Sequence, residues 1–158
     1  MLGGGFSLAE GIKSSELTDW LAGWTSGLGA LSRPGALGGV LPDSVEVAVG
    51  GGLAVLAICV LMTFVTELTS NTATTQIMLP VLASGAVLVG VDPLFWMIPA
   101  TVSASCAFMM PVATAPNAIA VEGGGVSPSD MALGGLLLNL VCVVLATLVT
   151  VVVVPWLA

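Results

Sequence analysis

The ten residues TELTSNTATT, Thr66 to Thr75, set six hydroxyls, one amide and one carboxylate between two strongly apolar runs. Residues 47–66 carry no charged side chain, nor do 68–91, 93–121 or 131–158. Each of these runs meets the roughly 20 residues that an α-helix needs to cross hydrocarbon. A polar decapeptide between such runs is either a loop in water joining two spanning helices or a polar element held at membrane depth. The choice between them settles the architecture.

Of the 158 residues, 57% are hydrophobic and only 7% are charged, against about 25% charged in an ordinary soluble domain. Mean hydropathy is +1.14. Two basic and nine acidic residues cannot cover a water-exposed surface, so the chain reads as an integral membrane protein. Barrel strands would alternate apolar and polar residues over about ten positions. No such alternation is present, which leaves helices as the way to satisfy the backbone in lipid. The runs are rich in Gly, Ala, Ser and Thr, and these let membrane helices approach closely. A net charge of −7 with no basic cluster argues against nucleic acid and against electrostatic docking on anionic lipid. Cys59, Cys106 and Cys142 all lie in apolar runs and histidine is absent. The cysteines therefore read as small buried hydrophobes, and neither a disulfide framework nor a transition-metal cofactor is expected.

Along the chain, MLGGGFSLAEG lacks the basic and apolar regions of a signal peptide and reads as the end of a helix that starts upstream. The first segment, 1–24, includes an amphipathic stretch in which Leu17, Trp20, Leu21 and Trp24 recur at helical spacing. It suits a helix lying at the headgroup level or one packed on protein. Residues 25–43, rich in Gly, Ser and Pro, form a linker. Segment 44–90 holds two apolar arms around the polar tip. Segment 92–125 opens with Asp92 as a helix N-cap and Pro93 in the first turn. It is predicted to break at 111–117, where Pro111 and Pro116 remove two backbone donors. Segment 129–158 is a final span ending near Trp156 at the interface.

Two interruptions, the tip at 66–75 and the break at 111–117, thus fall inside apolar sequence. A helix amino end presents N–H groups that can hold an anion, helped by donors such as Ser70, Asn71 and Thr72. Carbonyls of unwound backbone, with hydroxyl and amide oxygens, suit a hard cation. Hydroxyls in membrane helices also serve simply to back-bond to the preceding turn or to link helices. Glu67 is compatible either with burial against a partner or with a water-filled cavity.

At these residues the sequence resembles the divalent anion:sodium symporter family, carriers of dicarboxylates, citrate and, in some branches, sulfate. LGGGFSLAEGIKSSELTDWLAG resembles that family's Gly-rich helix end and amphipathic arm. TELTSNTATTQIMLPVL carries its Ser-Asn-Thr signature at Ser70, Asn71 and Thr72. CAFMMPVATAPNAIA resembles the second signature, although Ala115 stands where the family has the first of two prolines and Glu16 where it usually has glycine. The resemblance implies an all-α membrane fold equivalent to the second of two inverted repeats. That repeat comprises an amphipathic arm helix, a re-entrant hairpin, a broken transmembrane helix and a final transmembrane helix.

The resemblance further implies that Ser70, Asn71, Thr72 and Thr114 bind the substrate. It gives one Na⁺ to Thr66, Thr69, Asn71 and Ala113, with Pro116 and Asn117 in support. Na⁺ would be the coupling ion for symport of succinate-, malate- or citrate-like anions, with no cofactor and no enzymatic chemistry. The partners implied are an N-terminal repeat missing from this chain, the lipid bilayer of the cell membrane and a second copy in a homodimer. An inactive truncated fragment, a subunit of a split carrier and a carrier of sulfate or another inorganic anion stand as alternatives.

Overall fold

The computed structural model of the chain describes residues 23, 27–31 and 42–154. Apart from Gly23, the expected arm over 1–24, with most of the linker over 25–43 and Trp156, lies outside the described residues. Within 42–154 the elements are α1 (Asp43–Leu68), α2 (Asn71–Val89), α3 (Pro93–Ala104), α4 (Ala115–Glu122) and α5 (Pro128–Val153). There is no strand among the described residues, and the all-α membrane class expected from composition is the class observed. Three stretches, Ala48–Leu68, Asn71–Val89 and Pro128–Val153, are long and apolar enough to cross a membrane.

The uncharged run 93–121 is not one helix. It divides into α3, an irregular segment over 105–114, and α4. The break therefore opens earlier than the 111–117 predicted from the prolines. Pro116 stands in the first turn of α4, where a missing N–H removes no helical bond. What ends α3 is tertiary: the Thr66 hydroxyl lies 2.9 Å from Ala104 O, and the Thr63 hydroxyl donates at 3.4 Å to Ser103 O. These α1 side chains take up carbonyls at the end of α3, so the helix can stop inside the protein without bare acceptors.

One face of α1 carries the core. Ala54, Val55, Ile58, Cys59 and Met62 are fully buried at helical spacing. They pack with Trp96 and Ala100 of α3, Leu82 and Ala86 of α2, and Val143 of α5. Toward the tip the same stripe turns polar, continuing as Thr63, Thr66 and Glu67, all buried. Helix α3 packs against α1, α2 and α5 and so ties the hairpin to the last helix.

Helix α5 shows the inversion expected in lipid. Its buried face is Gly135, Asn139, Val143, Ala146 and Thr150. Its exposed face bears Leu137, Leu138, Leu145, Leu148 and Val152. Small and polar residues face protein and branched apolar residues face outward.

The turn between α2 and α3 is fixed locally. Gly90 adopts a left-handed φ of 77°, and Val91 N donates at 2.9 Å to Ala86 O. Asp92 then caps α3, its Oδ1 accepting from Leu94 N at 2.7 Å. Asp92→Ala is expected to lower stability by about 1 kcal/mol while Asp92→Asn retains most of it, read as the thermal midpoint in detergent.

Candidate functional site at the hairpin tip and the helix break

The chain reverses between α1 and α2 in two residues, Thr69 (φ −135°, ψ 168°) and Ser70 (φ −68°, ψ 129°). Hydroxyls make so tight a reversal tenable. Thr69 Oγ1 donates at 2.8 Å to Val65 O. With its proton so placed, it accepts from Thr74 Oγ1. Thr75 Oγ1 donates at 2.7 Å to Asn71 O. Two of the tip's side chains, Thr69 and Thr75, therefore serve the backbone, the role that hydroxyls commonly have in membrane helices, and Thr74 secures Thr69.

Ser70, Asn71 and Thr72 form the start of α2. Ser70 occupies the N-cap position, yet its side chain makes no cap bond. The first backbone bond of the helix is Thr74 N to Ser70 O at 2.8 Å. The amino end of α2 is thus left without a side-chain cap, the condition in which a helix terminus accepts an anion.

The broken segment is braced from α4. Asn117 Nδ2 donates to Ala107 O at 2.9 Å and to Met110 O at 3.0 Å. Ala113 N donates to the same Met110 O at 3.1 Å. Thr114 Oγ1 accepts from Asn117 N at 3.4 Å as the cap of α4.

Tip and break meet at an open cavity of about 440 Å³ lined by Leu68, Thr69, Ser70, Asn71, Thr72, Val112 and Ala113. Beneath it, the fully buried Thr66 hydroxyl sits 2.7 Å from Asn71 Oδ1 and 2.9 Å from Ala104 O. That single hydroxyl touches the hairpin's second arm and the last residue of α3 together.

Of the residues predicted from sequence, the cavity gathers Thr69, Ser70, Asn71, Thr72 and Ala113, with Thr66 bonded just below. Thr114, Pro116 and Asn117 do not line it. Thr114 caps α4, Pro116 opens it, and Asn117 holds the break. Among the described residues no cluster of three or more His, Cys, Asp or Glu could hold a metal ion. A cation at this cavity would meet neutral oxygens only.

Sequence reasoning left two residues without a role. Glu67, 4% exposed, accepts at Oε1 from Met109 N (2.9 Å) and Asn139 Nδ2 (2.7 Å), and at Oε2 from Met110 N (2.9 Å). Both carried a signal, since Glu67 is the one carboxylate between residues 47 and 91, and Asn139 the one amide in the last apolar run.

The arrangement offers N–H and hydroxyl donors at a helix amino end beside carbonyl and amide oxygens of irregular backbone. It can hold a small anion and a hard cation side by side. Comparison with known proteins points the same way. Residues 1–158 match the family described as the sodium:sulfate symporter transmembrane region. The chain is 42% identical over 148 residues to solute carrier family 13 member 2 of Rattus norvegicus, covering 94% of this chain and 22% of that protein. It is 44% identical over 148 residues to Na⁺/dicarboxylate cotransporter 3 of Homo sapiens, with the same 94% and 22% coverage. Over 155 residues it is 39% identical to the sodium-dependent dicarboxylate transporter SdcS of Staphylococcus saprophyticus, covering 98% of this chain and 26% of that protein. The chain therefore spans about a quarter of the length of the curated relatives it matches. With its tip signature and broken helix facing one cavity, it belongs to the sodium:sulfate symporter family, the divalent anion:sodium symporters that its motifs resemble.

Proposed function

We propose that this chain forms part of a sodium-coupled carrier of dicarboxylates in a cell membrane. The observation that carries this reading is the single cavity shared by the hairpin tip and the helix break. The uncapped amino end of α2, with Ser70, Asn71 and Thr72, takes a substrate carboxylate. Thr66, Asn71 and the carbonyls of Thr69 and Ala113 take Na⁺. Asn71 belongs to both sets, so the cation orders a side chain that the anion needs. Coupling then follows as a reciprocal free energy between two ligands on one amide. Thr114 enters through its cap of α4 and its neighbour Ala113.

In this reading α1 and α2 form a re-entrant hairpin, and the chain corresponds to the second of two inverted repeats. The complete carrier adds a first repeat, pairs as a homodimer and works in an elevator-like manner. Relatives described as dicarboxylate transporters favour succinate-like anions. The family description favours sulfate as the second reading.

Proteoliposomes containing the carrier in which this chain occurs test the proposal. An inward Na⁺ gradient is expected to drive accumulation of labelled succinate, and replacing Na⁺ by choline to stop it. Na⁺-driven uptake of sulfate with no succinate uptake would move the substrate to the second reading. Succinate uptake indifferent to Na⁺ would refute sodium coupling.

A further inference from the structure

A segment that leaves helical geometry beside lipid must find acceptors for its own N–H groups. In the irregular stretch 105–114, two consecutive amides, Met109 N and Met110 N, find them on one side chain, the carboxylate of Glu67. Each takes a different oxygen at 2.9 Å, and Asn139 of α5 adds a third donor at 2.7 Å. No Lys or Arg occurs among the described residues, so these three N–H groups are the carboxylate's described partners. Only a carboxylate presents two acceptor atoms at this spacing with no hydrogen of its own. A glutamine would turn an NH₂ toward an N–H already there.

Helix α5 meets the same stretch a second time. One turn before Asn139, Gly135 lies so close to the Phe108 carbonyl that a Cβ there would overlap it and fall 2.7 Å from Met109 Cα. The segment is therefore held from two helices, by Glu67 of α1 and by the Gly135–Asn139 face of α5. Met110 is gripped at both of its polar groups. Its N–H goes to Glu67, and its carbonyl accepts from Asn117 Nδ2 and from Ala113 N. Ala113 lines the cavity.

We infer that Glu67 and Asn139 are positioning residues: a clamp of carboxyl and amide that sets the path of the unwound segment and, through Met110, the orientation of Ala113 at the cation-binding side of the site. Neither Glu67 nor Asn139 lines the cavity. The clamp's role in sodium affinity rests on the carrier reading above, whereas its hold on the segment does not.

Cys106, inside the held segment, and Cys59, in the α1 core, are native reporters. In the reconstituted carrier with Cys142→Ala, the rates at which N-ethylmaleimide modifies Cys106 and Cys59 are followed by mass spectrometry. Glu67→Gln and, separately, Asn139→Ala are expected to speed Cys106 modification by about tenfold or more, the effect of losing one hydrogen bond to a charged group. Cys59 is expected to stay protected. The Na⁺ concentration for half-maximal uptake is expected to rise in the same variants, with the maximal rate less affected. Unchanged modification of Cys106 in both variants would overturn the clamp. Equal acceleration at Cys59 would overturn it too, since Glu67 would then hold the whole fold rather than this segment. If Cys106 responds as expected while wild-type vesicles take up no anion, the clamp stands and the carrier reading falls.

Discussion

Asn71→Ala is expected to abolish Na⁺-dependent uptake of succinate by the carrier containing this chain, with helical content unchanged in circular dichroism. Asn71 is the first residue of α2, lines the cavity, and holds its Oδ1 at 2.7 Å from the buried Thr66 hydroxyl. Under the proposed assignment, truncation would remove an oxygen from the cation and an N–H pair from the anion. Hydrogen bonds to charged groups contribute about 1.5–3 kcal/mol each, so losing one from each ligand predicts a fall of two to four orders of magnitude. Additional Na⁺ restores only the cation's share. Uptake undiminished at saturating Na⁺ would remove Asn71 from the site.

The second large effect separates two adjacent glycines. Gly135→Ala is expected to depress uptake strongly and lower the thermal midpoint, because the added Cβ meets backbone rather than a side chain. It would lie 2.5 Å from Phe108 C and 2.7 Å from Met109 Cα. The overlap can be relieved only by separating α5 from the unwound segment, at a cost of about 1–3 kcal/mol or more. Gly134 is exposed and a Cβ there meets nothing within 4 Å. Gly134→Ala is expected to be neutral or stabilising by up to about 1 kcal/mol, the helix-propensity difference. Equal behaviour of the two variants in a thermal melt would contradict the close approach.

Which features were legible in the sequence follows from the kind of physics behind each. Helices α1, α2 and α5 follow from long uncharged runs, a local property. The start of α3 follows from Asp92 and Pro93, and its cap bond to Leu94 N is present. The position of the break was not local. Prolines 111 and 116 drew attention seven or more residues past the point where α3 ends, because Thr63 and Thr66 of another helix accommodate that ending. The tip motif announced a polar site through its composition. Only the folded structure separates hydroxyls that serve the backbone, such as Thr75, from those that line the cavity, such as Thr72, and shows that Thr69 does both. Glu67 was visible as an isolated carboxylate, but its partners lie 42, 43 and 72 positions away. No pattern within one segment pairs it with Asn139.

Val112 offers the most direct measurement of whether tip and break form one ligand site, since it lines the cavity from the break side and is 81% exposed. Val112→Cys is introduced into the carrier with its native cysteines replaced, and modification by a charged methanethiosulfonate is timed. Na⁺ and succinate together are expected to slow the reaction markedly, with much less protection from succinate in choline. A rate indifferent to both ligands would contradict a shared site.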